Sequence, residues 1–428
     1  MSSCDLFLWL LVIGDPSGSF IFVETLVLLS VVAVLLVAGK HRQKPTEIAI
    51  SPTPAACGMA DRTIWSSFLL VLVLAMLVLV LLSLSKPHGA VDGWSIWNMR
   101  ARFLFRSGEH WRAALSPHVG CPHQDYPLLL SASIARSWYY VGKDTVFVPI
   151  TIAMLFTLAT AVLLTSAVSV LVGTFRGLLA GIAILGTCYF IRHGAYQYAD
   201  IPLSFFILAS IVLLYLHGRT TGRTRGLLYL SGMMAGMAAW TKNEGVLFVA
   251  GIVCSHLIVG LATKQLKPCF LRMAAIMLGL APIFGIVTYF KLGLAPPNDL
   301  AAAQNLDTAM AKLCNADRYW IIGKYWVQRL IGYGNGLVFV LATYAVLVGV
   351  RVDRRDRQQF AVCLLTLSLM LAGHFVVYLL TPHDLVWHLG TSARRLFLQL
   401  LPMGLFVFFT TVTGPAGAPG SPCRNQSV

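Results

Sequence analysis

Eleven blocks of apolar residues, at 20–38, 64–85, 146–172, 177–194, 200–217, 226–242, 244–262, 273–292, 335–350, 360–380 and 396–413, alternate along the chain with more polar segments. Most reach or approach the roughly 20 residues that carry a helix across a hydrocarbon layer about 30 Å thick. A backbone in lipid must satisfy its own hydrogen bonds, so blocks of this length predict helices. The pattern therefore predicts an all-α integral membrane protein with about 11 transmembrane helices.

Basic residues give these helices an orientation. Lys40, Arg42 and Lys44, then Arg176, then Arg219, Arg223 and Arg225, then Lys264, Lys267 and Arg272, and finally Arg351, Arg354, Arg355 and Arg357 occupy every second connection. Such clusters favour the cytoplasmic side. The outer side then receives two long loops, 86–145 and 293–334, a shorter one at 381–395, and tight turns near 195–199 and 242–244. Residues 1–19 form an N-terminal segment with no basic n-region and with Asp5 and Asp15, so the first apolar block is expected to be retained as an anchor. Residues 20–413 read as one polytopic domain, and the Pro-, Gly- and Ser-rich tail 414–428 as disordered. No internal repeat suggests the paired halves of a transporter.

Loop 86–145 has a pattern of its own. Trp94, Trp97, Ala101, Leu104 and Phe105 fall at helical spacing, with Asn98, Arg102 and Arg106 on another face. That is the signature of an amphipathic interfacial helix, whose Arg100 and Arg102 are expected to touch lipid headgroups. A second apolar stretch, 128–141, carries Trp138, Tyr139 and Tyr140, which suit the headgroup level.

Composition sharpens the class. The 428 residues are 57% hydrophobic and only 11% charged, with a mean hydropathy of +0.75, which excludes an ordinary soluble domain. The formal charge of +15 sits mainly in the connections, so it reads as a topology signal and membrane-lipid contact, with no nucleic-acid partner. The nine cysteines show neither CxxC nor metal-ligand spacing. Cys121 and Cys314 lie in the two outer loops, where they can pair or stay free.

Carboxylates are scarce, 17 in all, and those at a membrane face are costly unless paired or functional. Asp92 follows the second block, Asp200 opens the fifth, and Glu244 lies beside Lys242 in the turn before the seventh. All face the outer side with Asp125, Arg394 and Arg395. Simpler readings stand beside a functional one. Asp92 and Asp200 can cap helices, Lys242 and Glu244 can form a turn salt bridge, and the arginine pair can snorkel to the interface. Glu24, inside the first block, reads as an interhelix hydrogen-bonding group.

Five segments carry a family resemblance. VDGWSIWNMRARFLFR (91–106) is similar to the first external loop of polyprenyl-phosphate-dependent glycosyltransferases of the C-type (GT-C) fold, in which an acidic residue just past a span precedes an interfacial helix. HQDYPLLLSA (123–132) resembles their HPP-L motif, YADIPLSFF (198–206) their acidic-x-Pro-Leu motif, GMAAWTKNEG (236–245) their TK turn, and SARRLFLQLLP (392–402) an Arg-bearing final segment. The matches keep the family's order over roughly 86–402. The chain resembles the broad group that contains glycosyltransferase family 39, the protein O-mannosyltransferases and the lipid A aminoarabinose transferase. It differs at Asp92-Gly93, where an acidic pair is common, and at HQDYP.

The resemblance implies a GT-C fold whose first external loop carries interfacial helices. It implies an inverting transfer of sugar from a polyprenyl phosphate donor to a lipid, glycan or protein acceptor hydroxyl. Asp92 would be the general base and Asp200 a second catalytic carboxylate, positioning the acceptor or holding a divalent cation; the metal ligands stay unknown and no cofactor is certain. Lys242, Arg394 and Arg395 would bind the donor phosphate, and His123, Asp125, Tyr126 and Glu244 the substrates. The expected location is a bacterial inner membrane, with the site facing outward. Two other readings remain open, a transporter or flippase of lipid-linked sugars and a non-catalytic membrane scaffold.

Overall fold

The computed structural model describes residues 2–14, 18–40, 59–119, 123–220, 224–298 and 305–413. Ten of the eleven predicted apolar blocks each coincide with one helix, and the block 177–194 is divided between two; fewer of these helices than the 11 expected meet the length and hydropathy of a membrane span. The amino-terminal part consists of α1 (Ser2–Val12), α2 (Gly18–Lys40) and α3 (Met59–Ser85). A folded connection with α4 (Met99–Arg106) and α5 (Leu129–Val141) follows. Next come α6 (Phe147–Val172), α7 (Thr174–Leu185), α8 (Cys188–Ala195), α9 (Asp200–Arg219), α10 (Arg225–Thr241), α11 (Asn243–Ala262) and α12 (Leu266–Gly293). The remainder is α13 (Leu306–Leu313), α14 (Ala316–Ile331), α15 (Leu337–Val348), α16 (Arg357–Leu380) and α17 (Leu385–Thr411). Among the described residues there is no strand; Val350 and Val412 form an isolated antiparallel bridge.

Seven helices are long and apolar enough to cross a membrane: α6, α9, α11, α12, α16, α17 and the Arg62–Ser85 part of α3. The pair α7 and α8, bent by 62°, makes an eighth if it is one span. The chain is thus a helical membrane protein by the length and composition of its helices. Burial sorts them. The apolar window of α9 is 72% buried and that of α3 only 17%, so α9 is the central element and α3 a peripheral one. Accordingly α9 is apolar around its whole circumference, whereas α3 turns Leu70 and Val73 outward, 60% and 63% exposed.

Four of the five basic connections meet at one end of the bundle; most of the first, at 41–58, lies outside the described residues. Arg219 pairs there with Asp356, Nε to Oδ1 at 2.5 Å. Arg272 donates to Gln358 at 3.0 Å, and Arg176 donates to the Val412 carbonyl at 2.8 Å. Buried Asp356 matches one of the positive charges that the connections concentrate there.

The structure departs from the sequence expectations in four places. First, α17 begins at Leu385, where Asp384 caps it by accepting the Trp387 N–H at 2.8 Å. Arg394 and Arg395 are therefore helical and do not lie in a 381–395 loop. The stretch hides its helix because it is amphipathic, with Leu389 and Ala393 buried and polar residues between them. Second, the N-terminal segment contains α1, whose Leu6, Phe7 and Leu10 are buried in the core, with Phe7 against Trp111, Trp240 and Phe290.

Third, of the apolar face expected to lie in the interface, Trp97, Ala101 and Leu104 are instead buried in the protein while Trp94 is exposed, and Asn98 and Arg100 are buried too. The turn Gly93–Asn98 is π-helical, and its greater number of residues per turn moves positions off the 3.6-residue pattern. Arg100 donates to the carbonyls of Tyr126 and His123 and does not reach headgroups. Fourth, Trp138 is buried, its indole N–H donating to the Thr145 carbonyl at 2.8 Å. Only Tyr140 is exposed, and its hydroxyl donates to Glu24, which also takes Arg136 at 2.7 Å. Cys121 and the 414–428 tail lie outside the described residues.

Candidate functional site

The site lies at the end of the bundle opposite the basic connections, and it starts from a tight contact between two loops. A Cβ on Gly93 would stand 2.4 Å from the Tyr196 carbonyl oxygen, so only glycine lets the two backbones touch there. The same carbonyl accepts the Ala90 N–H at 3.2 Å. Asn98 donates to Gln197 at 2.6 Å, and Gln197 donates to the Pro87 carbonyl at 3.1 Å. These bonds clamp the segment carrying Asp92 onto the turn that leads into α9.

Asp200, the first residue of α9, is fully buried and forms the hub. Its Oδ1 accepts from Lys242 Nζ at 3.0 Å and from Gln399 Nε2 at 2.6 Å. Its Oδ2 accepts from Arg395 Nε at 3.0 Å and lies 2.9 Å from Nη2 of the same guanidinium. Both carboxylate oxygens of Asp200 are thus engaged by nitrogen donors. Asp200 makes no helix-capping bond, and neither does Asp92.

Arg395 extends the hub outward, its Nη1 donating to Asp92 Oδ2 at 2.5 Å and its guanidinium lying 4.8 Å from the Tyr198 ring centre. Lys242, in extended conformation between α10 and α11, also pairs with Glu244 at 2.9 Å. Burial opposes its ammonium form, but the carboxylates of Asp200 and Glu244 outweigh burial and lift its pKa above the ordinary lysine range. Gln399 joins the two carboxylates, donating to Glu244 as well at 3.2 Å. Three carboxylates thus face two cations.

Beside this hub lies an aromatic stack. Tyr126 is sandwiched between Trp97, at 5.8 Å and 10°, and His123, at 4.7 Å and 8°. Lys242 Nζ stands 5.3 Å from the Tyr126 ring centre. Burial, reinforced by Glu244, raises the Tyr126 phenol far above its usual value, so it stays neutral. Asp125 belongs to a separate lock: its Oδ2 accepts from Asn243 at 2.6 Å and Asn298 at 2.8 Å, and Lys291 pairs with it at 3.3 Å. This ties the 123–127 loop to the start of α11 and the end of α12.

The structure therefore gathers Asp92, Asp200, Lys242, Glu244, Arg395 and Tyr126, with His123 and Asp125 at the edge. Arg394 stands apart. It is exposed, and among the described residues it makes no hydrogen bond or ion pair. Its charge acts on Tyr189, over whose ring the exposed Arg192 lies at 5.3 Å. Sequence reasoning missed Gln399, Tyr198, Asn243, Lys291 and Arg192. Gln399 had a signal: His388, Ser392, Arg395 and Gln399 are spaced four, three and four residues apart, one polar stripe along a helix.

A divalent cation does not fit this arrangement. Both oxygens of Asp200 are engaged by nitrogen donors, and among the described residues no three His, Cys, Asp or Glu side chains form a metal-binding group. No protein-family model, no curated protein and no solved structure matches this chain. The fold and the site define a helical membrane protein with a buried ionic cluster at one end of its bundle.

Proposed function

We propose that this chain is a GT-C type membrane glycosyltransferase that moves a sugar from a polyprenyl phosphate to an acceptor hydroxyl at the outer face of a bacterial inner membrane. The observation that carries the reading is the convergence of Asp92, Asp200, Lys242, Glu244 and Arg395, each from a family-like segment, into one hydrogen-bonded cluster in an otherwise apolar bundle. Charged groups at membrane level are expensive and mark functional sites.

Within this reading Asp92 is the base. Its side chain is 22% exposed, and its Oδ1 accepts no hydrogen bond among the described residues. It takes the proton as the acceptor oxygen attacks the anomeric carbon. The bond from that carbon to the phosphate oxygen breaks, polyprenyl phosphate leaves, and the configuration inverts. Asp200 touches no substrate; it positions Lys242 and Arg395. With those two cations committed to carboxylates, the exposed Arg394 and Arg192, whose charges both act on Tyr189, are the groups assigned to stabilise the departing phosphate.

The test is transfer from polyprenyl-phosphate sugars by purified protein in lipid nanodiscs, comparing wild type with Asp92→Asn. We expect a loss of about 100-fold or more, with an unchanged unfolding temperature. Equal transfer by the variant removes Asp92 as base. Absence of transfer by the wild type with every donor overturns the reading in favour of a transporter or scaffold.

A further inference from the structure

At the basic end of the bundle, α9, α10, α11, α12 and α16 enclose a cavity with about 470 Å³ of unfilled space, counted out to its open mouth. Its walls are mainly apolar and buried, with Leu214, Leu228, Val259 and Val362 beside the thiols of Cys269 and Cys363. The half-exposed residues that line it, His217, Arg272, Gln358 and Gln359, are all polar, so the mouth is polar. No carboxylate lines it.

Close helix contacts frame this space. Thr366 on α16 donates to Ser255 on α11 at 3.0 Å. Each lies one turn deeper in the bundle than a wall residue, Val362 and Val259, so the bond closes the floor. A Cβ on Gly218 would stand 2.2 Å from Gln359 Nε2, which shows α9 pressed against α16; one on Gly260 would stand 2.5 Å from Cys269 Sγ, which shows the same of α11 and α12. Cys269 Sγ donates to the His256 carbonyl at 3.1 Å. Across the mouth, Arg272 Nη1 donates to Gln358 at 3.0 Å.

Charge selects the ligand. Arg272 forms no ion pair among the described residues, whereas Arg219 at the same end is matched by Asp356. The bond to Gln358 leaves the other guanidinium N–H groups of Arg272 for a ligand. Its charge acts on the imidazoles of His217 and His256, both of which line the cavity. The Thr224 hydroxyl stands 3.2 Å from His217 Nδ1, and when it donates there the His217 Nε2–H is a further donor. A half-buried cation with amide and imidazole donors and no carboxylate suits an anion, and a guanidinium suits phosphate above all. A zwitterionic headgroup would bring an ammonium that no carboxylate in the lining can receive.

The surroundings supply the source of that phosphate. Next to the cavity α11 exposes Leu257 and Leu261, 49% and 63%, and α12 exposes Phe270 and Leu271, 72% and 54%. Lys264 and Lys267 are exposed where α11 gives way to α12. Apolar helix faces ending in basic residues match a lipid whose chains lie along the helices and whose headgroup meets the cations.

We infer that this cavity binds the phosphate of an anionic phospholipid from the leaflet at the basic end, with Arg272 as the principal contact, His217 and Gln358 beside it, and the acyl chains along α11 and α12. The site lies at the other end of the bundle from the Asp200 cluster and is independent of the glycosyl-transfer reading.

The experiment titrates the purified full chain, in an uncharged detergent and about 0.15 M salt to screen exposed charges, with phosphatidylglycerol, phosphatidylcholine and inorganic phosphate. Bound lipid is read by native mass spectrometry, and the unfolding temperature is read in parallel. Phosphatidylglycerol should stay bound and raise the unfolding temperature, and phosphatidylcholine should do so far less. Arg272→Gln should weaken the apparent phosphatidylglycerol affinity about 10-fold or more, the loss expected of charge-assisted hydrogen bonds. Arg354→Gln, which removes the same charge from an exposed position before α16, should leave that affinity nearly unchanged. If Arg272→Gln does not fold, Arg272→Lys, which keeps the charge and loses the planar fork, should weaken the affinity by a smaller factor. Unchanged affinity in the Arg272 variant that folds overturns the site, and so does an equal loss in Arg354→Gln, which would assign binding to the general field of the basic end. Stabilisation by inorganic phosphate that requires Arg272, with none from phosphatidylglycerol, overturns the lipid as the source of the phosphate.

Discussion

Arg395 on α17 donates to Asp92 at 2.5 Å, a bond between residues 303 positions apart, while its other nitrogens hold Asp200. One planar guanidinium therefore fixes the spacing of two carboxylates that come from different elements. A lysine ammonium is a compact point charge and cannot reproduce this fork. Arg395→Lys should lose transfer by at least 10-fold and cost about 1–3 kcal/mol of stability through the abandoned hydrogen bonds. Retention of both properties, measured by transfer and by chemical denaturation, would show that the bridge is incidental.

Asp200 and Asp92 should separate when each is changed to asparagine. Asp200 is fully buried between two cations, so Asp200→Asn removes the carboxylate that Lys242 and Arg395 share and should cost about 3–5 kcal/mol, the range for breaking a buried ion pair. Asp92 is partly exposed, and its pair should be worth under about 1 kcal/mol. Pairing Asp200→Asn with Lys242→Met should cost less than the two single changes added together. Additive costs in denaturation would refute the coupling.

How much of this was legible follows from what each signal measures. Hydropathy blocks report helices that lipid or core surrounds on all sides, which is why α6, α9 and α12 were readable. The start of α17 was not, since an amphipathic helix with Arg394, Arg395 and Gln399 on it has no apolar block. The scarcity of carboxylates pointed to Asp92, Asp200 and Glu244 singly. Which cation meets which carboxylate depends on helix register, and no local pattern encodes it. Asn98 and Arg100 were misread for a related reason: a π-helical turn shifts the face that a 3.6-residue period assigns.

Gly93 controls the position of Asp92 without touching the ion cluster. Alanine there would press its Cβ against the Tyr196 carbonyl, at 2.4 Å if nothing moved, so the loop must shift. Gly93→Ala should cost about 1–3 kcal/mol, the usual range for overpacking. It should also lower transfer more than stability alone explains, because Asp92 moves with the loop. Normal transfer per folded molecule would show that the contact does not set the Asp92 geometry.

Lys242 gives a pH prediction. Its folded-state pKa is raised, so its stabilising contribution is complete below the unfolded value of about 10.4 and is lost only as pH rises through the folded value. Stability from this group should therefore be flat between pH 6 and 9. Amine acylation at pH 9, followed by mass spectrometry, should spare Lys242 and modify the exposed Lys143. Rapid modification of Lys242 in folded protein would contradict its charged, enclosed state.

The opposite end of the bundle supplies the control that separates folding from function. Arg219 and Asp356 form a two-pronged pair whose side chains are 11% and 4% exposed, remote from Asp92 and Arg395 because they lie at the other ends of α9 and α16 from the site. Asp356→Asn removes one partner of a nearly buried pair and should cost about 3 kcal/mol. Transfer per folded molecule should stay within about twofold of wild type, since distant sites act independently. If Asp356→Asn lowered transfer as strongly as Asp92→Asn in fully folded protein, the two ends of the bundle would be coupled, and the activity could not be assigned to the cluster around Asp200 alone.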